Sequence, residues 1–162
     1  REAYVLDIIS TYLSDGKKSK LYKKMVDEQK QALQIGAFNL GQEDYGMYLI
    51  FGLPVGENTL ETLNTEIEEE IAAVRNELIA DKDFQKIQNK FENDFVNANS
   101  SVEGIAGSLA TYYMLYGDTS LINKQIDIYR SITREEIQQV AQQYLQPNQR
   151  VVIDYLPQSA KQ

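Results

Sequence analysis

The sequence predicts an α+β domain in two layers, in which a mainly antiparallel sheet packs on helices. Three observations carry this prediction: two helical segments open the chain, two strand-like segments follow them, and a run of helical segments fills the second half. Strands that cluster apart from a run of helices are typical of this class. With 162 residues the chain is long enough to bury its own core, so we expect residues 1–162 to form a single domain.

The first predicted helix opens the chain. Its apolar residues recur every three or four positions, at Tyr4, Val5, Ile8, Ile9, Tyr12 and Leu13. The cluster Ser14-Asp15-Gly16 ends it, because glycine readily takes the conformation that closes a helix. The same spacing resumes after a short loop and predicts a second short helix, with its apolar positions at Leu21, Tyr22, Met25 and Val26.

A β-hairpin is predicted next, from residues 31–40 and 47–55, with the polar residues 41–46 as its loop. In the second strand one face carries Met47, Leu49, Phe51, Leu53 and Val55. Tyr48 and Ile50 lie on the opposite face, where they face either a second layer or a partner. They are therefore the candidate residues for contact with a peptide or a partner.

Amphipathic helices are predicted over residues 60–78 and 84–95, each with one buried stripe. A further helix is expected over residues 102–116. Its candidate core residues are Ile105, Ala106, Leu109, Tyr112 and Tyr113.

The start of the last helix has the clearest local signal. Thr133 and Glu136 have the spacing of a capping box, and Ile132 and Ile137 occupy the two positions of a hydrophobic staple. After this helix, residues 151–155 predict a final strand, closed by Pro157 and joined to the hairpin.

The composition excludes several kinds of chemistry. The chain has no histidine and no cysteine, so neither a Ser-His-Asp or Cys-His nucleophile nor a tetrahedral His/Cys zinc site can be built from it. The net charge of −8 makes nucleic acid an unlikely partner, and no apolar run is long enough to span a bilayer. The compartment stays open, since a chain without cysteine suits oxidising and reducing spaces alike.

Two clusters of like charge invite a functional interpretation. The basic run over residues 17–24 suggests an anion site, and Gly16-Lys17-Lys18-Ser19 suggests a phosphate loop, but its spacing departs from that motif and no strand precedes it. The acidic residues 66–70 suggest a metal site, but consecutive carboxylates on a helix point in different directions. We expect both clusters to be solvated helix faces.

The segment from Leu13 to Met25, with its small-residue turn and Ser-basic-Leu-Tyr start, resembles the pitrilysin/insulinase family of zinc peptidases. Later features agree in order, from the hairpin around Gly36 to Ser108-Leu109-Ala110 and the segment 132–137. The resemblance implies homologous repeats that face each other across a peptide chamber. One repeat carries H-x-x-E-H and zinc, and a metal-free repeat completes the cavity.

This chain resembles the metal-free, C-terminal type of repeat. The resemblance therefore implies no catalytic residue, no metal ligand and no cofactor in this domain, with zinc expected only in a homologous partner repeat of the same chain or complex. In active relatives the metal-free repeat often lends an Arg and a Tyr to the peptide backbone. The matching region, residues 47–58, has no arginine, and Tyr48 is the candidate for the tyrosine.

Two functions follow as hypotheses. The first is an inactive peptidase-like domain that packs on an active zinc-bearing repeat and helps to enclose a peptide substrate. The second is a stand-alone scaffold or peptide-binding module without a protease partner. The chain opens within a helical pattern, without an initiator Met, so we expect a fragment of a longer protein that lacks the strand or strands the family places before the first helix.

Overall fold

The computed structural model describes residues 1–42 and 44–156 and confirms the predicted α+β class. The helices are α1 (Glu2–Ser14), α2 (Leu60–Asn76), α3 (Asp81–Ala98), α4 (Val102–Tyr116), α5 (Gln125–Arg130) and α6 (Arg134–Tyr144). The strands are β1 (Ala32–Gly41) and β2 (Gly46–Pro54). A π-helical turn spans Tyr22–Glu28, and 3-10 turns span Thr119–Asn123 and Pro147–Gln149. The predicted second helix is thus a single π-helical turn.

Helix α1 is the centre of the core. Its apolar stripe is fully buried, at Val5, Ile8, Ile9 and Leu13. It packs on β1 and on α6, so it joins the sheet layer to the helical layer. At its C-terminus the Ser14 hydroxyl donates to the carbonyl of Ala37 (3.0 Å) and accepts from the Ala37 N–H (2.7 Å). Gly16 then turns the chain away with a positive φ of 79°, as the sequence predicts.

The hairpin is antiparallel, with Asn39 opposite Tyr48 and Ala37 opposite Ile50. Tyr48 and Ile50 pack against the core, while Leu49 on the other face is left partly exposed. The period-two apolar face of β2 is therefore the outer face of the sheet.

Close packing on that outer face depends on Gly36. A Cβ atom at this position would lie 2.3 Å from Cε1 of Phe51, so the ring of Phe51 occupies the space that a side chain would need. Phe51 also stacks on Phe38, with ring centroids 5.5 Å apart. The two strands thus present an ordered aromatic pair on the face that no helix of the described chain covers.

The predicted start of α6 is confirmed in part. The Glu136 N–H donates to the Thr133 hydroxyl (3.2 Å), and the staple residues Ile132 and Ile137 are buried. The side chain of Arg1 and the backbone of Thr133 are among the groups that lower the pKa of Glu136, the latter as the capping box predicts, so the carboxylate of Glu136 also binds a residue outside the cap. It accepts two hydrogen bonds from the guanidinium of Arg1, because α1 begins beside the start of α6.

The expected core of α4 is wrong at most positions. Tyr112 is buried, but Ile105 and Tyr113 are 40% and 68% exposed. The helix contacts its neighbours, chiefly the following 3-10 turn and α3, along a narrow line. Apolar spacing alone therefore overestimates how much of this helix is covered.

The predicted C-terminal strand is also wrong for the described residues. Residues 151–156 form no regular secondary structure, and Tyr155 is 93% exposed. The sheet in the described ranges is the two-stranded pair β1–β2. Residues of high β propensity form a strand only when another strand offers hydrogen bonds and packing. Pro157, the expected end of this strand, lies outside the described residues.

The two charged clusters are not simply solvated. The Nζ atom of Lys24, on the π-helical turn, lies 2.7 Å from Glu66, 3.0 Å from Glu69 and 3.1 Å from Glu70 of α2. These hydrogen bonds raise the pKa of Lys24 despite an opposing effect of desolvation. The basic and acidic clusters, which are far apart in the sequence, thus form ion pairs that join the π-helical turn to α2.

Candidate functional site

Tyr48 and Ile50, the candidate contact residues, lie on the inner face of β2. Both are half-buried and pack against the core. The sequence allows this face of β2 to meet either a second layer or a partner, and in the structure it meets the second layer. The Tyr48 hydroxyl is buried beside the hydroxyl of Ser10, which donates to the carbonyl of Leu6. Burial raises the pKa of Tyr48, so its phenol stays protonated.

A polar cluster that sequence reasoning missed surrounds Asp7 between α1, the hairpin and α5. The carboxylate of Asp7 accepts from the Asn39 amide (3.0 Å) and from the Tyr129 hydroxyl (3.2 Å). Burial raises the pKa of Asp7, although these two hydrogen bonds act against it. The sequence does contain a signal for this cluster, because Asp7 is the one charged residue between Glu2 and Asp15 in an otherwise apolar helix.

Aromatic rings enclose this cluster. Tyr4 meets Tyr129 edge to face, with centroids 5.0 Å apart, and Phe91 stacks on the other side of Tyr129 at 4.2 Å. Burial raises the pKa of Tyr4 to about 12, with smaller effects from neighbouring tyrosines and Asp7. The cluster can hold and orient protons, but its groups are satisfied by one another and it has no metal-ligating histidine.

Two apolar surfaces are open to contact. The outer hairpin face consists of partly exposed side chains, at Phe38, Leu40, Met47, Leu49 and Leu53. The α4 face consists of exposed side chains, at Val102, Ile105, Tyr113, Met114 and Tyr116. Glu103 is the single charged residue of α4, so this face offers an apolar surface with almost no charge. Large exposed apolar patches of this kind mark interaction sites.

The acidic residues of α2 are held by cations. Besides the three carboxylates on Lys24, Glu68 pairs with Arg75 and Arg150, each at 2.6 Å. Arg75 also donates to the carbonyl of Leu145 and so ties α2 to the end of α6. Within the described ranges, no group of three or more His, Cys, Asp or Glu side chains is arranged to hold a metal ion.

In the described part of the chain, no helix combines the length and the apolar composition that a membrane-spanning helix requires.

A known family model matches more than half of the chain. The family model described as the peptidase M16 inactive domain matches residues 1–91. This range contains α1, the hairpin, α2 and the first part of α3. This match confirms the resemblance that the sequence predicted.

Individual relatives cover nearly all of the chain. The zinc protease PqqE of Helicobacter pylori is 23% identical over 160 residues, which are 97% of this chain and 35% of that protein. The chain thus spans about a third of the length of this curated relative.

Solved structures show the same fold. A protease from Helicobacter pylori superposes with a TM-score of 0.86 at 23% identity, over 92% of this chain and 36% of that one. An inactive peptidase domain from Bordetella parapertussis superposes with a TM-score of 0.81 at 18% identity, over 100% of this chain and 88% of that one.

Proposed function

The chain belongs to the peptidase M16 inactive-domain family and is a catalytically inactive, peptidase-like domain, and from that premise we propose that it packs against an active, zinc-bearing repeat of a zinc protease and helps to enclose the peptide substrate. In this proposal zinc is bound by the partner repeat alone. The domain contributes surface and shape rather than reacting groups.

The observation that carries the proposal is the uncovered apolar face of α4. Val102 is 86% exposed, and Tyr113 and Met114 are 68% and 67% exposed. Leaving such side chains in water forgoes a transfer free energy of roughly 1.5–3 kcal/mol for each one that a partner could bury. A homologous repeat that packs on α4 would recover this free energy.

The outer hairpin face supports the enclosing role. It is apolar, it is ordered by the aromatic pair of Phe38 and Phe51, and it lies on the side of the sheet opposite α1. We assign it to the wall of the peptide chamber. Contact of Tyr48 and Ile50 with a peptide or a partner stays a prediction.

We further propose that residues 1–162 form one repeat of a longer polypeptide. The support is the relative PqqE, a zinc protease of which this chain covers 35%. An upstream strand would complete the sheet and give residues 151–156 a neighbour.

The proposal is tested in the full-length protein with two double variants of equal charge. Tyr113→Lys with Met114→Lys places charge on α4, and Met47→Lys with Leu53→Lys places it on the outer hairpin face. We expect the first to separate the repeats, seen as a new low-temperature unfolding transition and a loss of peptide cleavage of at least tenfold. The second should leave unfolding unchanged and raise KM for a quenched fluorescent peptide.

The zinc content of both variants should stay at one ion per active repeat, since this domain supplies no ligand. If the α4 variant keeps wild-type unfolding and cleavage, the packing role is wrong.

The alternative is a stand-alone scaffold or peptide-binding module, and the apolar outer hairpin face is the observation that favours it. The two functions predict different sequences in the full reading frame of this protein and in the adjacent one. An H-x-x-E-H motif in the full or adjacent reading frame supports the inactive repeat of a protease, and its absence from both supports the stand-alone module.

A further inference from the structure

Lysines from two distant parts of the chain meet beside α3. We call them the lysine corner: Lys18, Lys20, Lys82, Lys86 and Lys90. The first two come from the loop after α1 and the other three from α3. Between loop and helix lies a small cleft, lined also by Tyr12 and Asp83. The Nζ atom of Lys20 lies over the ring of Tyr12, 5.5 Å from its centroid.

The α3 lysines share one helix face, because Lys82, Lys86 and Lys90 are spaced four residues apart. Like charges at this spacing repel and destabilise a helix. Lys82 and Lys86 are exposed and contribute nothing to the core, which α3 contacts through Ile87. The stability of the fold therefore does not account for this row of charge.

Most of the corner is not neutralised. Lys90 pairs with Asp15 at 3.1 Å and with Asp94 at 2.5 Å. Within the described part of the chain, by contrast, Lys18, Lys20, Lys82 and Lys86 have no carboxylate within 4.0 Å. Lys24, only four residues from Lys20, has three carboxylate partners. In a protein of net charge −8, unneutralised cations so concentrated are a local exception.

The acidic residues nearby offset part of this charge. Asp15 and Asp94 pair with Lys90, whereas in the described part of the chain Asp81 and Asp83, in the first turn of α3, form no ion pair with these lysines within 4.0 Å. Gln85 and Asn89 line the same face as the lysines and offer amide N–H donors. The surface thus combines positive charge with neutral hydrogen-bond donors, the two features that carboxylates require.

We propose that the lysine corner binds an acidic segment of polypeptide, at a site separate from α4 and from the hairpin. The row from Lys82 to Lys90 extends over about 12 Å at 1.5 Å per residue, so its charges meet a chain of carboxylates rather than a single small anion. Nucleic acid fits less well, because the protein as a whole repels a polyanionic backbone. This proposal does not depend on a partner repeat.

The test uses the full-length protein and a fluorescein-labelled decamer of D-glutamate, which a protease does not consume. Fluorescence anisotropy should show binding that weakens as the salt concentration rises. Lys82→Gln with Lys86→Gln should weaken it roughly three- to tenfold, as expected for the loss of two exposed charge contacts. The matched control is Lys30→Gln with Lys124→Gln, which changes the net charge equally at exposed positions outside the corner and should leave binding unchanged.

Thermal unfolding of both variants verifies that the fold is kept. The proposal is overturned if the glutamate decamer does not bind, or if the control variant weakens binding as much as the corner variant. It is also overturned if single-stranded DNA of ten nucleotides binds more tightly than the peptide and loses affinity in the corner variant, since the site would then recognise nucleic acid.

Discussion

At the scale of single residues, Asp7 is the clearest case in which burial changes the acid–base behaviour of a side chain. Its carboxylate is held by Asn39 and Tyr129, and these hydrogen bonds connect α1 to the hairpin and to α5. Burial nevertheless raises its pKa above the value in an unfolded chain. The folded state therefore binds this proton more tightly than the unfolded state does.

We predict a pH dependence of stability from this residue. Because its folded pKa is raised, the contribution of Asp7 to stability is fully present below the unfolded pKa and is lost as the pH rises through the folded pKa. Asp7→Asn keeps a polar side chain without a charge, so the variant should lose this part of the pH dependence, which begins above the unfolded pKa of about 4. Urea unfolding at a series of pH values measures it.

A matched control for this prediction is Asp127→Asn, an exposed acid on α5. It removes one exposed carboxylate and so shows what the loss of a surface charge alone does to the pH profile of unfolding. Identical profiles for Asp7→Asn and the wild type would contradict the prediction.

At the scale of elements, the layers are joined by a few specific contacts at helix ends. Ser14, at the end of α1, makes both an accepting and a donating hydrogen bond with the main chain of Ala37 in β1. Arg1 links the start of α1 to Glu136 and Ser131 at the start of α6. Helix α1 is thus attached at one end to the sheet and at the other to the helical layer.

We predict that Ser14→Ala destabilises the domain by about 1–3 kcal/mol, because it leaves the Ala37 N–H without a partner in a half-buried place. Ser10→Ala is the matched control. Its hydroxyl donates to a carbonyl of its own helix, so its loss should cost about 0.5 kcal/mol or less. Chemical denaturation compares the two, and equal losses would show that the contact between α1 and β1 contributes little.

At the scale of the whole molecule, burial is distributed unevenly. The core is concentrated on α1 and the elements around it, whereas α4 is largely open to solvent. Substitutions that remove similar apolar volume should therefore have very different effects in these two helices.

We expect Ile8→Ala to lower the free energy of unfolding by about 2–5 kcal/mol, since it opens a cavity in the fully buried stripe of α1. Measured on residues 1–162 alone, Val102→Ala, at an exposed helical position, should change it by at most about 0.5 kcal/mol, whereas the proposed partner repeat would make the loss larger in the full-length protein. Thermal or urea unfolding of both variants tests this. A large loss for Val102→Ala would mean that α4 is covered in solution, as a second copy or a partner repeat would cover it.

Much of the fold was open to prediction from local sequence. The bounds of α4, the hairpin and the capped start of α6 follow from periodicity, glycine turns and the spacing of Thr133 and Glu136, all of which act over a few residues. The outer position of Leu49, the exposure of Tyr113 and the unpaired state of residues 151–156 did not follow, because each depends on which element lies opposite.

The sequence by itself determined that this domain has no histidine or cysteine chemistry, and its local patterns determined where most helices and strands begin and end. Only the tertiary structure decided which face of the hairpin is buried and that Lys24 pairs with carboxylates of α2. It also decided that Lys86 lies beside Lys18 and Lys20, none of them with a carboxylate of the described residues within 4.0 Å. The physical reason is one of range. Helix periodicity and capping are interactions between near neighbours, whereas burial and charge pairing depend on residues that only the folded chain brings together.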